Sequence, residues 1–377
     1  MPTPSLTREE AADRTERVHP HRCEVELDLT GAPDAALRTF LVEVAWTFSF
    51  DRADGPEETF LDFTGEVLEL EINGRSLSAE EIAAAFAQDR LRLEGLQPQN
   101  RVRVRGEALY SRSGEGMHRY TDPQDGEVYL YTQYEPADAH RVMPCFDQPD
   151  LRAEWVFRLT APQQWAARSN GTPVSTPAQD GSAATRHEFS PTLPIPAYLT
   201  SVLAGPYVSA QSSWESSAPQ RPQHLPLHLW CRASMAEHLD AEEIFTITRQ
   251  GLDFFTDLFD MAYPFDTYEQ AFVPEYNLGA MENPGLVTFT EDYLFPDGAS
   301  RQQLAGRANT ILHEMAHMWF GDLVAIHWWE DLWLKESFAE FMGAHASVSA
   351  TQFTEAWAGF AVRRKAWAYR QDALSTT

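Results

Sequence analysis

Residues 313–317, His-Glu-Met-Ala-His, constrain what this chain can fold into more than any other stretch. On a helix of 3.6 residues per turn, His313 and His317 lie one above the other, so both imidazoles can hold one ion. Glu336 follows His317 after eighteen intervening residues and can supply a third ligand. Two histidines, one glutamate and a fourth position left to water are a recurrent set in hydrolytic zinc sites. The spacing therefore predicts two helices that share one Zn²⁺ per chain.

The residue types in this pattern also predict a general base. Two neutral imidazoles and one carboxylate leave a bound Zn²⁺ with net positive charge, which lowers the pKa of its water to roughly 7. Glu314 can take the proton of that water and pass it to a leaving amine. The same pattern also occurs by chance on solvated helices. Here the apolar residues Ile311 and Leu312 indicate a buried helix over residues 307–324, followed by a second helix with Glu336 near its start.

A second constellation lies about thirty residues upstream, at residues 279–283, Gly-Ala-Met-Glu-Asn. It precedes the strand-like residues 285–289, and its composition predicts an edge strand that carries one acidic side chain. Gly279 allows another backbone to approach closely, and an edge strand can pair with an extended peptide. Glu282 would then face the amino terminus of that peptide. Taken alone, the pentapeptide is more typical of a glycine-containing turn before a strand.

Together the two motifs make the chain resemble the M1 family of zinc aminopeptidases, of the aminopeptidase N type. The likeness extends to residues 132–141, Thr-Gln-Tyr-Glu-Pro-Ala-Asp-Ala-His-Arg, and to residues 144–149, Pro-Cys-Phe-Asp-Gln-Pro. It covers essentially all 377 residues in order. The resemblance implies a mostly antiparallel β saddle domain at the N-terminus. A thermolysin-like, gluzincin-type α+β catalytic domain would follow it.

The resemblance also implies the roles of six substrate-binding residues. Glu282, Gln133 and Glu135 would bind the free α-ammonium of a peptide. Met281 would line the pocket for its first side chain, and Gly279 and Ala280 would hold its backbone. Carboxylates grouped at a blind end reward a protonated N-terminus and leave a mid-chain amide without a partner. The implied activity is therefore that of an exopeptidase.

The chain departs from the family in two places. A tyrosine that stabilises the oxyanion in family members would fall beyond Thr377, so we expect a C-terminally truncated catalytic domain with weakened turnover. At residues 335–337 the chain has Lys-Glu-Ser where many members have Asn-Glu-Gly. Glu336 is retained. We expect Lys335 to be a solvated charge, and the alternative is that it perturbs the electrostatics of the site.

Composition restricts the class of protein further. A chain of 377 residues exceeds the size at which a single core keeps growing, and its 43% hydrophobic residues can fill two. The net charge of −27 argues against nucleic acid or an anionic membrane as a partner. Three widely spaced cysteines, and the lack of a signal peptide or an 18-residue apolar run, indicate a cytoplasmic protein. We expect the full-length form to be a monomer.

Periodicity along the chain predicts the order of the elements. A charged helix over residues 6–18, capped by Ser5 or Thr7, is followed by alternating segments typical of half-buried strands. These strands are expected at residues 22–29, 59–63, 67–72 and 91–93, with a turn at Asn73-Gly74. A Ser-, Gln- and Pro-rich linker at 209–226 divides an N-terminal β domain (1–210) from a zinc domain (211–377). Helices are expected at 235–259 and 354–372.

Three functions stay open at this point. The first is a zinc aminopeptidase in which a zinc-bound water attacks the first peptide bond, with Glu314 as general base. The second is a zinc endopeptidase, which is disfavoured because Glu282 and Glu135 would face an uncharged backbone. The third is a truncated module that binds zinc and peptide ends with little turnover. The first predicts that a free-amine peptide is cleaved and that its N-acetylated counterpart is not.

Overall fold

The computed structural model describes residues 6–51, 57–174, 183–216 and 223–372. The first element in these ranges is helix α1 (Arg8–Arg17). Thr7 caps it, since the Thr7 hydroxyl accepts from the Glu10 backbone and the Glu10 carboxylate accepts from the Thr7 backbone. This confirms the charged N-terminal helix and the Thr7 cap; Ser5, the other predicted cap, lies outside the described residues.

A large β-rich region follows α1 in the described chain. The strands are β1 (Val18–Asp28), β2 (Thr39–Phe50), β3 (Glu58–Asp62), β4 (Gly65–Ile72), β5 (Arg75–Ser76), β6 (Phe86–Ala87), β7 (Arg90–Glu94), β8 (Gln99–Ser111), β9 (Gly116–Thr121), β10 (Val128–Gln133), β11 (Glu154–Pro162), β12 (Ala166–Ser169), β13 (Pro173–Val174), β14 (Ala184–Phe189) and β15 (Val202–Gly205). Its one described α-helix is the short α2 (Ala79–Ala85), which lies between β5 and β6.

Most of these strands form one sheet, in the order β12-β15-β10-β9-β8-β2-β1-β11-β14-β13. Its pairs are antiparallel except β1 with β11 and β8 with β9, and β3, β7 and β6 form a smaller sheet. Every second side chain of β2 is buried, as the alternation predicts for a strand with one face on a core. Trp46 on β2 packs edge-on against Phe146 and Trp155 in that core.

The local turn chemistry was also predictable. Asn73 and Gly74 have φ values of 53° and 83° and join β4 to β5. Positive φ at both positions is the signature of a two-residue hairpin turn whose twist matches that of its strands. The predicted turn at this dipeptide is confirmed.

A second sheet contains β16 (Val208–Glu215), β17 (His224–Cys231), β18 (Tyr268–Val273), β19 (Ala280–Met281) and β20 (Leu286–Thr290). Their order is β16-β17-β18-β20-β19, and β17, β18 and β20 are parallel. The linker predicted over 209–226 is therefore wrong for its described part. The polar residues of β16 alternate with inward-facing ones, and Leu225 and Leu227 of β17 are buried. Residues 217–222 of the predicted linker lie outside the described residues.

Helices dominate the rest of the described chain: α3 (Ala241–Leu258), α4 (Arg301–His317), α5 (Leu332–Ala350), α6 (Ala356–Gly359) and α7 (Lys365–Asp372). The helix predicted over 235–259 begins six residues late, after a 3₁₀ segment at Ala233–His238. The helix predicted over 354–372 is interrupted by a π-helical turn at Phe360–Arg364. None of the helices in the described ranges is long and apolar enough to cross a membrane.

Helices α4 and α5 pack at very close range because α5 has a glycine at the contact. A Cβ built on Gly343 would lie 3.0 Å from the Asn309 carbonyl oxygen and 3.1 Å from the His313 backbone nitrogen. Any side chain at 343 would therefore push α5 away from the backbone that carries His313. The close approach brings the third predicted ligand, on α5, to the two histidines of α4.

The β-rich N-terminal part and the helix-rich C-terminal part confirm the α+β fold class. A buried ion pair joins them, in which Arg232 after β17 donates to Asp122 after β9 at 2.6 Å. Residue 210, where we place the domain boundary, lies inside β16. The division into 1–210 and 211–377 stays a prediction.

Candidate active site

Helix α4 positions the two histidines. Its N-cap, Ser300, exchanges hydrogen bonds with Gln303, and its last turn ends at His317. His313 and His317 follow each other by one turn, their rings are 4.8 Å apart at the centroids, and their Nε2 atoms are separated by 3.1 Å. The buried Leu312, which faces the helical core, fixes which side of α4 faces inward. The two imidazoles therefore point at one spot, as predicted.

Helix α5 brings Glu336 to the same spot. Its Oε2 lies 3.4 Å from His313 Nε2, and its Oε1 lies 3.6 Å from His317 Nε2. Glu314 completes a second set, since one of its carboxylate oxygens lies within 4.8 Å of ring nitrogens of both histidines. The predicted helix over 307–324 thus ends early, at His317, but it carries all the motif residues that we placed on it.

The donor set fits a zinc ion. Two nitrogen ligands that are each about 2.0–2.1 Å from a tetrahedral ion lie about 3.3 Å apart, close to the observed 3.1 Å between the Nε2 atoms. Two ring nitrogens that face each other without an ion must share a proton, and the nearby carboxylate of Glu336 adds negative charge to the same point. A cation at this point would satisfy all three side chains at once.

The protonation of the two histidines differs, although both are buried. Burial opposes the charged form of His313, but the carboxylates of Glu336 and then Glu340, 3.4 and 3.5 Å from its ring nitrogens, outweigh burial and raise its pKa to about 10. In His317 burial dominates and lowers the pKa to about 4. Binding of a metal requires neutral imidazoles and would therefore release the proton of His313. Burial also raises the pKa of Glu314 well above its ordinary value.

Two acidic residues with predicted substrate roles lie beside this cluster. Glu282 directly follows the edge strand β19, and Glu135 follows β10 two residues after that strand ends. Both come within hydrogen-bonding distance of one cation, the ammonium of Lys335. Glu282 is also grouped with His317 and Glu336, with ligand atoms within 4.8 Å of one another. The structure thus brings the two carboxylates together at the edge of the His/Glu cluster.

The expectation that Lys335 is a solvated charge is wrong. Its side chain is 1% exposed, and its Nζ lies 2.6 Å from Glu135 Oε1, contacts Glu282 Oε1 and lies 3.1 Å from Glu336 Oε1. Burial by itself would lower its pKa, but the charge of Glu282 and then Tyr198 and Glu135 reverse this, and the pKa lies well above its ordinary value. A lysine is rarely this buried unless it is paired, and here two of its three carboxylate partners, Glu135 and Glu282, come from distant parts of the chain.

The remaining predicted residues line the same region. Gln133 is buried; its Oε1 accepts from the Tyr276 hydroxyl at 2.8 Å, and its Nε2 has no hydrogen-bond partner among the residues that the structure describes. An amide oxygen has two lone pairs, so Oε1 can accept a second donor. Ala280 and Met281 form β19, which pairs with β20 on one side and is the edge of its sheet. Met281 is buried against the core of the large sheet.

The backbone of Gly279 is tied to the neighbouring strand, since its carbonyl oxygen accepts from Thr290 N at 3.0 Å. A Cβ at Gly279 would have one neighbour, the Tyr293 hydroxyl at 3.5 Å. The space beside this residue is therefore open, as the interpretation of an edge that receives another backbone requires. The edge strand predicted for residues 279–283 is confirmed over its two paired residues.

Two further residues of the site escaped the sequence reasoning. Glu340 lies one turn after Glu336 on α5, and its Oε2 is 3.5 Å from His313 Nδ1. The four-residue spacing from Glu336 could have revealed it. The ring of Tyr198 lies under Lys335, with 5.5 Å between the ring centroid and Nζ. No local pattern in the sequence points to Tyr198, because only the fold brings it to α5.

Comparison with known proteins agrees with this arrangement. A β-rich domain joined to a helical domain with a His/His/Glu cluster is typical of metallopeptidases. Residues 244–377 match the Peptidase family M1 domain, and residues 93–199 match the Peptidase M1 N-terminal domain. The chain belongs to peptidase family M1. The resemblance inferred from the two motifs is confirmed.

Named relatives support the same assignment. Aminopeptidase N of Streptomyces lividans is 44% identical over 381 residues, which cover 100% of this chain and 42% of that protein. Aminopeptidase N of Rattus norvegicus is 34% identical over 67% of this chain and 26% of its own length. Glutamyl aminopeptidase of Homo sapiens is 33% identical over 60% of this chain and 23% of its own length. The chain thus spans less than half the length of these relatives.

Proposed function

We propose that this chain acts as a zinc-dependent aminopeptidase that removes N-terminal residues from peptides. The observation that carries the proposal is the position of Glu135 and Glu282, whose carboxylates meet beside the His313, His317 and Glu336 cluster. Two carboxylates next to the site of hydrolysis bind the α-ammonium of a peptide. They therefore select a substrate in which that ammonium is one residue away from the bond that is cut. A centre that cuts within a chain has no use for these two carboxylates.

His313, His317 and Glu336 are the residues that would hold the ion. A bound Zn²⁺ would supply a Lewis acid that polarises the scissile carbonyl and lowers the pKa of water. Glu340, whose Oε2 lies 3.5 Å from Nδ1 of His313, would orient this imidazole, because a carboxylate behind a ligating imidazole commonly sets its tautomer and direction.

Glu314 would act as the general base and then as the acid. It would accept the proton of the attacking water and return it to the amine that leaves. Burial raises the pKa of Glu314 from its ordinary value in the direction of neutral pH, and a carboxyl transfers protons best when its pKa lies near the working pH.

The substrate would be anchored at both its charge and its backbone. Its α-ammonium would meet Glu135, Glu282 and Gln133, and its main chain would pair with the free edge of β19 near Gly279 and Ala280. The pocket for the first side chain would include Met281.

We further propose that the protein is a cytoplasmic monomer with no nucleic acid or membrane partner. The three cysteines, which are free and buried, support the compartment, and the net charge of −27 supports the lack of a nucleic acid or membrane partner.

The test compares chromogenic alanyl and leucyl amides that have a free amine with their N-acetylated forms. We expect cleavage of the free-amine substrates, loss of cleavage with a chelator, and recovery with Zn²⁺. Glu314→Gln should bind zinc as the unaltered protein does and lower kcat by about 10²- to 10⁴-fold. Glu330→Gln, which changes an exposed residue, is the matched control. Equal cleavage of the acetylated substrates would instead indicate an endopeptidase.

Zinc binding without cleavage of either substrate would indicate the third function, a module that binds zinc and peptide ends. A calorimetric titration of the unaltered protein with zinc distinguishes this outcome from a failure to bind the metal.

A further inference from the structure

The ammonium of Lys335 lies where the proposed function needs the substrate's own ammonium. Its Nζ contacts Oε1 of Glu135, Oε1 of Glu282 and Oε1 of Glu336. An ammonium has three N–H donors and no acceptor, so three carboxylates satisfy it completely. Two of the three are the carboxylates that the α-ammonium of a peptide would require.

The choice of lysine at this position is unusual for the chain. The sequence contains 27 arginines and two lysines, Lys335 and Lys365. Arginine is the more common cation in buried ion pairs, because its planar fork matches a carboxylate. Lysine differs in that its head group is a compact alkylammonium, which is the same chemical group as the N-terminus of a peptide. A guanidinium in the same place would not have this shape.

We propose that Lys335 is an internal counter-ion that occupies the ammonium subsite, and that a peptide's N-terminus binds by displacing it from Glu135 and Glu282. This inference rests on the proposed aminopeptidase function. In the free protein the lysine neutralises part of the acidic cluster and holds the two carboxylates together. A peptide whose amine is blocked cannot displace it and meets a subsite that is already occupied. Lys335 is thus a specificity-determining residue.

The displaced ammonium has other partners within reach. A buried ammonium without a partner would cost several kcal/mol, so displacement requires an alternative contact. Glu336 Oε1 is 3.1 Å from Nζ, and the Tyr198 ring offers a cation–π contact with its centroid at 5.5 Å. A small rotation of the lysine side chain toward the ring would release Glu135 and Glu282 while the charge stays paired.

Displacement can be observed directly, because the chain has only two lysines. In protein labelled with [¹⁵N]lysine at Nζ, the side-chain ammonium groups give one signal from Lys335 and one from Lys365, and Lys365→Gln, which changes the exposed lysine, assigns them. Chelator-treated protein is titrated with leucinamide, and separately with N-acetyl-leucinamide. We expect leucinamide to shift the Lys335 signal and leave that of the exposed Lys365 unchanged. The acetylated compound should move neither signal.

Binding affinity supplies the second measurement. Calorimetry on the same chelator-treated protein should show that Lys335→Gln binds leucinamide about tenfold more tightly or better, because a competing positive charge is gone. Lys335→Arg keeps that charge and should not bind more tightly than the unaltered protein. Lys365→Gln, in an exposed part of α7, should bind leucinamide as the unaltered protein does.

The outcomes separate this inference from the proposed function. If leucinamide binds, the acetylated compound does not, and the Lys335 signal stays in place, the anchor is real and the displacement is wrong. Weaker leucinamide binding by a folded Lys335→Gln variant would also overturn the displacement and make the lysine a structural support. If leucinamide and N-acetyl-leucinamide bind equally well, or neither binds, the ammonium anchor itself fails and both proposals fall with it. The labelled unaltered protein gives a result even if the variant does not fold.

Discussion

Glu340 Oε2 lies 3.5 Å from Nδ1 of His313, while the other nitrogen of the same ring, Nε2, faces His317. A carboxylate four residues after Glu336 on α5 therefore contacts the His313 ring at the nitrogen that faces away from His317. This arrangement links the direction of one ligand to the helix that carries another. It also gives α5 two contacts with His313, one through each carboxylate.

The first prediction concerns this carboxylate. We expect Glu340→Gln to weaken zinc binding by about 10- to 100-fold, because an amide holds the imidazole less firmly and no longer raises its basicity. Competition with a chromogenic chelator measures the change. Glu330→Gln removes a carboxylate near the start of α5 that is exposed and should leave zinc affinity as it is. Unchanged affinity in Glu340→Gln would mean that Glu340 is held there only by Arg364.

A second prediction tests the close contact between α4 and α5. Gly343→Ala would place a methyl group 3.0 Å from the Asn309 carbonyl oxygen, so the helices must separate. We expect a loss of about 1–3 kcal/mol in the free energy of unfolding, together with weaker zinc binding. Chemical denaturation and chelator competition measure the two effects.

Gly306 on α4 is the matched control for this substitution, since a Cβ there would meet no atom of the described residues within 4 Å. Gly306→Ala should be neutral or stabilise the protein by up to about 1 kcal/mol, through helix propensity alone. Equal effects of the two substitutions would show that the helices adjust to the added methyl group.

The third prediction concerns the ion pair between the two sheets. Arg232 donates to Asp122 at 2.6 Å and to Glu291 at 2.7 Å, and both ends of the Asp122 pair are buried. Arg232→Met should lower the free energy of unfolding by about 3–5 kcal/mol, because it leaves a buried carboxylate unpaired.

Arg249→Met, which removes an arginine that pairs with the exposed Glu242, should cost less than about 1 kcal/mol. In a double-mutant cycle, Asp122→Asn should recover part of the loss caused by Arg232→Met. Additive losses in the cycle would contradict a direct coupling of the two charges.

The fourth prediction is a pH dependence of stability. The hydrogen bond from Arg90 lowers the pKa of Glu10 from 4.5 to about 2, and this pair ties α1 to β7. A carboxyl whose pKa is lowered by folding contributes stability above its unfolded pKa, so the contribution is lost as the pH falls from about 4.5 towards 2. The Glu10 side chain is 39% exposed, so solvent screening keeps the effect below about 1 kcal/mol.

Denaturant titrations at a series of pH values test this dependence. Glu10→Gln should make the free energy of unfolding fall less steeply between pH 4.5 and pH 2 than in the unaltered protein. Glu9→Gln changes an exposed residue of the same helix and should keep the original slope. Identical slopes for all three proteins would show that the ion pair with Arg90 does not persist in solution.

Much of the candidate site was predictable because its signals are local. Helical periodicity places His313 and His317 on one face whatever lies around them, and the chemistry of two imidazoles and a nearby glutamate suggests a metal. The α+β fold class and the turn at Asn73 and Gly74 were likewise accessible from alternation and turn chemistry. The polar composition of β16 misled us, because a sheet strand needs only every second side chain to be apolar.

By itself the sequence determined which residues can bind a metal, which one can act as a base, and that strands precede helices, since these follow from residue type and spacing. Only the tertiary structure decided the environment of Lys335, whose partner Glu135 is 200 residues away. A charged side chain is solvated or buried according to what the fold packs around it, and that packing depends on contacts between distant segments. Long-range contacts of this kind leave no periodicity in the chain, so the pairing of Lys335 with Glu135 and Glu282 became apparent only in three dimensions.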